Sequence, residues 1–170
     1  MNGKILFAAL AVASGAAFAQ APTDPQIAHI VVTANQVDID AGKLAERQAK
    51  SPEVKAFGKQ MVTDHGAVNK QAVALVTKLK VKPEDNATSQ SLKSGGDANV
   101  KKLKTLKGAA FDKAYVDQEV AYHQAVLDAI DKVLIPNAQN AELKALITKV
   151  RPAIDGHLQH AKMMQASLGK

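Results

Sequence analysis

Apolar side chains recur every three or four residues along four long segments of this chain, which is the spacing that one face of an α-helix requires. The segments cover about residues 25–49, 52–79, 109–134 and 139–168. Stability has to come from packing these faces together, because the chain has no cysteine and cannot form a disulfide. The pattern therefore predicts an all-α fold with four long helices around one core.

The connections between these segments restrict how the helices can be arranged. Ser51, Pro52 and Glu53 form a helix start signal directly after the first segment. A link this short places two helices antiparallel. Pro136 and Asn137 end the third segment shortly before the fourth begins. The two hairpins are joined by a long crossover with a short, lysine-rich helix at about residues 89–106. We therefore predict a ferritin-like four-helix bundle.

Residues 1–19 have the pattern of a secretory signal peptide. Lys4 precedes an uncharged apolar run, and small residues lead to Ala17-Phe18-Ala19, so we expect cleavage after Ala19. The mature chain is then a single domain of residues 20–170 with its core at 25–168. We expect it in the periplasm or secreted, and leave association with the outer membrane open. No later segment has the ~20 consecutive apolar residues of a membrane span, so we expect no transmembrane helix in the mature chain.

Positive charge is concentrated in the crossover, where eight lysines and three acidic residues lie between residues 78 and 107. An export signal argues against nucleic acid as the partner of this charge. We expect anionic components of the cell envelope instead. The alternative is that the lysines only form a solvated surface. The candidate envelope-binding residues are Lys101, Lys102, Lys104 and Lys107.

Each long segment also carries an ionisable residue where its apolar face should continue. His65 points within roughly 30° of the centre of its face, so it needs a buried partner. Taking 1.5 Å per residue, the ionisable residues lie about 15 to 20 Å from the end of the bundle that holds Ser51, so they share one layer. The candidate residues are Asp38, His65, Glu119 and His157, with His123 beside Glu119 and His160 near the edge of the fourth face.

Two chemistries fit such a layer. Carboxylates and neutral imidazoles bind a single divalent cation such as zinc, iron or manganese. They also pair with one another or with buried water, and then fix the register of the helices without any cofactor. Both hypotheses stay open at this point. We expect Asp64 to be solvated and His160 to reach water.

Three stretches, SPEVKAFGKQMVTDH, GAAFDKAYVDQEVAYHQAVL and HLQHAKMM, resemble an exported bacterial family, domain of unknown function 4142, over about residues 27–168. The resemblance implies a ferritin-like fold and no established activity. Ferritin-like di-metal proteins carry Glu-x-x-His on two helices. Here Val62 and Ile154 stand three residues before His65 and His157. The bridging carboxylates are therefore absent, which argues against a di-iron oxidase or an iron store.

The chain also has no cysteine nucleophile, glycine-rich phosphate loop, HExxH motif or serine elbow. We therefore expect a binding or structural protein of the cell envelope rather than an enzyme. The alternative is a mononuclear metal-binding protein with a degenerate di-iron-type site in the core.

Overall fold

The computed structural model describes residues 21–168, so the predicted signal peptide lies outside the described part of the chain. Its helices are α1 (Asp24–Gln48), α2 (Pro52–Lys78), α3 (Ala87–Lys104), α4 (Gly108–Ala129), a π-helical turn (Ile130–Leu134), α5 (Ile135–Asn137) and α6 (Ala141–Leu168). No strand occurs within residues 21–168. The all-α prediction is confirmed.

The predicted connectivity is also confirmed. Helices α1 and α2 form one hairpin, α4 and α6 form the other, and α3 lies along α1. The loop before α3 is held at the start of α1, where the Glu84 amide donates to the Pro25 carbonyl. The loop after α3 is held at the end of α1, where the side-chain amide of Gln48 donates from Nε2 to the Leu106 carbonyl at 2.6 Å. The crossover thus spans the bundle, and α2 and α4 run parallel.

The turn between α1 and α2 is fixed by residues from both hairpins. Ser51 caps α2 by accepting from the Val54 amide at 3.4 Å. The buried carboxylate of Asp112 accepts from the amides of Lys50 and Ser51, both at 2.8 Å. A carboxylate on two backbone amides is a strong, charge-assisted contact, so the start of α4 is tied to this turn.

Helices α1 and α2 approach each other closely at two glycines. A Cβ on Gly42 would lie 2.7 Å from the Gly58 carbonyl oxygen, and a Cβ on Gly58 would lie 2.8 Å from both the Gly42 oxygen and the Ala45 Cβ. Only hydrogen fits at either position. This contact brings the backbones together about one helical turn from Asp38 on α1 and two turns from His65 on α2.

The core consists of two apolar clusters with a polar layer between them. One cluster, around Phe57, Phe111 and Tyr115, lies at the Ser51 end of the bundle. The other, around Ile27, Leu127 and Ile147, lies at the opposite end. The buried residues between them are polar: Asn35, Asp38, His65, Glu119, His123 and His157. We call these six residues the polar layer.

The chain stays helical past the expected break at Pro136 and Asn137. Proline has no amide hydrogen to donate to a preceding turn. One residue earlier, the Ile135 amide donates to the Ile130 carbonyl, five residues back, which makes the turn a π-helix. The widened turn lets the helix continue to Asn137. The predicted end at about residue 134 was therefore three residues early.

Candidate metal centre

Three histidines from three helices meet in the polar layer. His65 comes from α2, His123 from α4 and His157 from α6, and all are buried. Their ring centroids are 5.3 to 5.6 Å apart. One ring nitrogen from each lies within 4.8 Å of one ring nitrogen from each of the others. The imidazoles therefore surround a common point.

The hydrogen bond at one nitrogen of His65 determines what the other nitrogen offers. The Asn35 Nδ2 donates to the Val31 carbonyl at 2.8 Å, which leaves Asn35 Oδ1 as an acceptor. His65 Nδ1 donates to this oxygen at 2.7 Å. In the neutral ring the lone pair is then on Nε2. That nitrogen is buried and has no hydrogen-bond partner within residues 21–168.

The same reasoning applies to the other two rings. His123 Nδ1 donates to the Glu119 carbonyl at 3.0 Å, and His157 Nε2 donates to Asp64 Oδ2 at 2.9 Å. The remaining nitrogens, His123 Nε2 and His157 Nδ1, are also buried without a hydrogen-bond partner in the described part of the chain. Each ring is thus held at one nitrogen and unsatisfied at the other, which is how histidines that bind metals are usually oriented.

Two carboxylates complete the layer. Asp38 Oδ2 lies 3.4 Å from His65 Nε2, without forming a hydrogen bond to it. Glu119 Oε2 lies 3.3 Å from His123 Nδ1. Asp38, Glu119 and His123 form a second group whose ligand atoms lie within 4.8 Å of one another. His123 therefore belongs to both groups and links the three imidazoles to the two acids.

Burial and charge give the three histidines different pKa values. Burial lowers the pKa of His65 to about 3, helped by the neighbouring His123 and His157. Burial also lowers the pKa of His157. In His123 burial acts in the same direction, but the hydrogen bond and charge of Glu119 and the charge of Asp38 outweigh it and raise the pKa to about 9.

The pKa of Asp38 is raised well above its usual value, first by burial and then by the charge of Glu119. Burial raises the pKa of Tyr115 as well, and the phenol of this residue is fully buried beside the layer without a hydrogen-bond partner in residues 21–168. At neutral pH two rings are therefore neutral, and the positive charge of the layer sits on His123.

The structure brings together the four main candidate residues, Asp38, His65, Glu119 and His157. His123 was expected beside Glu119 but is the central member of the layer. His160 does not join it, because its half-buried ring packs edge-on against Phe57 with the centroids 5.1 Å apart.

Sequence reasoning missed two partners of the histidines. Asn35 was overlooked because an amide does not ionise, although it lies one turn before Asp38 on the same helix. Asp64 was expected to be solvated. Its side chain is 42% exposed, yet it accepts a hydrogen bond from His157. The expectation was therefore correct about the exposure of Asp64, but it missed the hydrogen bond that orients His157.

The four candidate lysines, Lys101, Lys102, Lys104 and Lys107, are all exposed at the end of α3 and in the loop that follows. Lys101 and Lys104 line a groove of about 430 Å³ between α1 and α3, together with Lys43 and Arg47. No helix within residues 21–168 is both long and apolar enough to cross a membrane.

Comparisons with known proteins address the family and the fold of this chain. A family model described as "Domain of unknown function (DUF4142)" matches residues 8–164. A solved structure of a DUF305 protein from Streptomyces coelicolor, provisionally described as secreted, is similar at 12% identity with a TM-score of 0.70, over 85% of this chain and 92% of that chain. At this identity the similarity shows the helical fold alone. No curated protein matches.

Proposed function

Because this chain belongs to the DUF4142 family, whose description assigns no activity, we propose its function from the polar layer alone: the chain binds one divalent transition metal ion in the bundle core. The ligands are His65, His123 and His157, with Asp38 or Glu119 as the fourth. The observation that carries this proposal is that three buried imidazoles each bring one nitrogen within 4.8 Å of the others, and each ring has one buried nitrogen without a hydrogen-bond partner in the described residues.

A metal-free polar network explains this arrangement less well. A buried polar atom without a partner costs about 1 to 3 kcal/mol, and native cores contain few such atoms. Here each of the three clustered rings has one such nitrogen. Once His123 has lost its proton, a cation between the rings binds one lone pair from each of them, and its charge also balances that of the neighbouring acids. A metal-free network gains neither.

The donor set indicates the class of metal. Three imidazoles and one carboxylate suit tetrahedral Zn²⁺, and the same nitrogens suit other late first-row ions. Calcium and magnesium prefer all-oxygen sites. A second ion would lack the bridging carboxylates of di-metal proteins, because Val62 and Ile154 occupy the positions from which those would come. The proposed site is therefore mononuclear, and the predicted leader places it in an exported protein.

Metal analysis of untagged protein tests this proposal. We expect about one zinc per chain after loading and dialysis. At a free zinc concentration about 100 times Kd, the fold should gain about 2.7 kcal/mol. For a domain of this size that corresponds to a rise in Tm of roughly 5 to 11 °C.

Two variants make this test specific. His123→Leu should abolish the zinc-dependent rise in Tm. His160→Leu is the matched control, since this histidine packs against Phe57 outside the layer, and it should keep the rise. Protein that retains no metal and gains no thermal stability from zinc, iron or manganese contradicts the proposal.

A second candidate function is binding of an anionic envelope polymer or membrane at the groove between α1 and α3. Lys43 is paired with Asp40 there. Arg47, Lys101 and Lys104 have no ion pair within residues 21–168, so their charge is free to attract an anion.

Vesicles that contain phosphatidylglycerol test this second candidate. The double variant Lys101→Glu and Lys104→Glu should weaken binding to these vesicles, and added salt should weaken the binding of the unchanged chain. The matched control reverses Lys144 and Lys149, which are exposed on α6, and should bind normally. Equal, salt-insensitive binding by all three proteins contradicts this function.

A further inference from the structure

A cavity of about 40 Å³, partly open to solvent, lies between the helices directly beside the polar layer. Nine of its twelve lining residues are aliphatic, and they come from α1, α2, α6 and the region around the π-helical turn. The other three are Asn35, Asp38 and His65, which belong to the polar layer. The cavity is thus apolar except where it meets the candidate metal centre.

The π-helical turn contributes to this cavity. Ile130 and Leu134, its first and last residues, both line the space. Such turns are wider than a regular α-helical turn, and they occur frequently at functional sites. The π-helical turn therefore coincides with a place where the core next to the histidines is incompletely filled.

The size and lining of the cavity indicate what it can hold. A water molecule needs about 10 to 15 Å³ on this measure, so the space accommodates a molecule of two or three heavy atoms. Waters in this space meet few polar partners in the protein, because most of the lining is aliphatic. The amide of Asn35 is already bonded at both ends. An ion would lose its hydration against aliphatic walls. A small uncharged molecule fits best.

We propose that this cavity binds a small uncharged molecule of two or three heavy atoms and holds it against His65. The aliphatic walls favour an uncharged molecule over an ion. The polar end is formed by Asn35, Asp38 and His65, of which His65 has a buried nitrogen without a hydrogen-bond partner in residues 21–168. If the proposed metal function holds, on which this part of the inference rests, the molecule lies beside the bound ion. The pocket then adjoins the metal centre at His65.

Xenon tests the cavity in the metal-free chain, independently of any metal. In spectra of methyl-labelled protein under xenon, the methyl signals of Ile130, Leu134 and Ile154 should shift in a saturable way, together with the ring signals of His65. The methyl signals of Leu103, in the other apolar cluster, should not move. No saturable shift at the cavity methyls overturns the proposal.

Filling the cavity provides the matched comparison. Ala34→Val and Val126→Ile add carbon atoms to the lining, and each should abolish the xenon-dependent shifts. Two variants are used so that one can fail to fold without ending the test. Ala114→Val changes a partly buried alanine at the other cluster and should keep the shifts. Shifts that survive in both filled variants contradict the proposal.

Adding Zn²⁺ to the same samples separates this inference from the proposed function. If both are correct, zinc changes the affinity for xenon, because His65 both binds the ion and lines the cavity. Xenon binding without zinc binding supports the pocket and refutes the metal centre. Zinc binding that leaves every xenon-dependent shift unchanged refutes the contact between the pocket and the centre.

Discussion

Zinc should displace a proton from His123 when it binds. The pKa of His123 is raised to about 9 in the metal-free chain, because Glu119 and Asp38 outweigh the opposing effect of burial. A metal needs the neutral imidazole. Removing the proton of His123 at pH 7 costs about 2.7 kcal/mol, because pH 7 lies roughly two units below the pKa of this residue. For the proton of His123 alone, the apparent affinity for zinc should therefore rise about tenfold per pH unit between 7 and 9.

The other ligands contribute differently to the number of protons released. His65 and His157 have lowered pKa values, so they are neutral at pH 7 and release none. Burial and the charge of Glu119 raise the pKa of Asp38, so any proton that this carboxyl still holds is also released when it serves as the fourth ligand. We therefore expect between about one and two protons per zinc. The variant Asp38→Asn should release about one.

Calorimetry in two buffers with different ionisation enthalpies measures this number directly. The difference between the two binding enthalpies gives the protons released per zinc. Zinc that binds at pH 7 without releasing a proton, and with an affinity that does not change as the pH rises, refutes the reasoning. Either His123 would not be a ligand, or it would not carry the charge that its contacts predict.

Two further predictions concern stability. In the metal-free chain the pKa of His65 is lowered to about 3. Below pH 6.5 the unfolded state therefore binds more protons than the folded state, and stability falls as the pH drops from 6.5 towards 3. The raised pKa of His123, about 9, adds stability that is fully present below pH 6.5 and is lost as the pH rises through 9. Urea unfolding should show stability falling between pH 6.5 and 9, with a contribution from His123 of up to about 1.4 kcal/mol per pH unit. On the acid side the raised pKa of Asp38 opposes the effect of His65, so the net slope there should be smaller than that of His65 alone. A profile that is flat above pH 6.5 contradicts the assignment of His123. Gly58→Ala should lower the free energy of unfolding by about 1 to 3 kcal/mol, because its Cβ meets the Gly42 carbonyl. Gly66→Ala is the control: nothing lies within 4 Å of its Cβ, and it should stabilise the fold by up to about 1 kcal/mol. Equal free energies of unfolding for the two variants would contradict the close contact.

The bundle could be predicted from the sequence because it follows from features that lie close together along the chain. A helical period over more than twenty residues leaves few alternatives to a buried helical face, and a link of a few residues leaves only an antiparallel pair. His65 could be identified for the same reason, since it interrupts an apolar face near its centre. These features depend on spacing along one helix and hardly on how the helices are rotated.

The composition of the polar layer depends on that rotation, which spacing does not fix. His123 was expected at the flank of its helical face, whereas its side chain is fully buried in the layer and belongs to both groups of ligand atoms. His160, three residues after His157, lies on a face turned towards Phe57 and away from the layer. Asn35 and Asp64 become relevant only when it is known which nitrogen of each histidine donates, and that requires coordinates.

The position of the polar layer also bears on how the bundle opens. The layer divides the core into two apolar halves, and polar groups couple them less strongly than continuous packing would. Regions that are joined weakly can exchange their amide hydrogens as separate units. An ion bound by side chains from α2, α4 and α6 and one acid would join both halves. Amide exchange in the two halves would then slow together on loading, and the loaded chain would unfold as one cooperative unit.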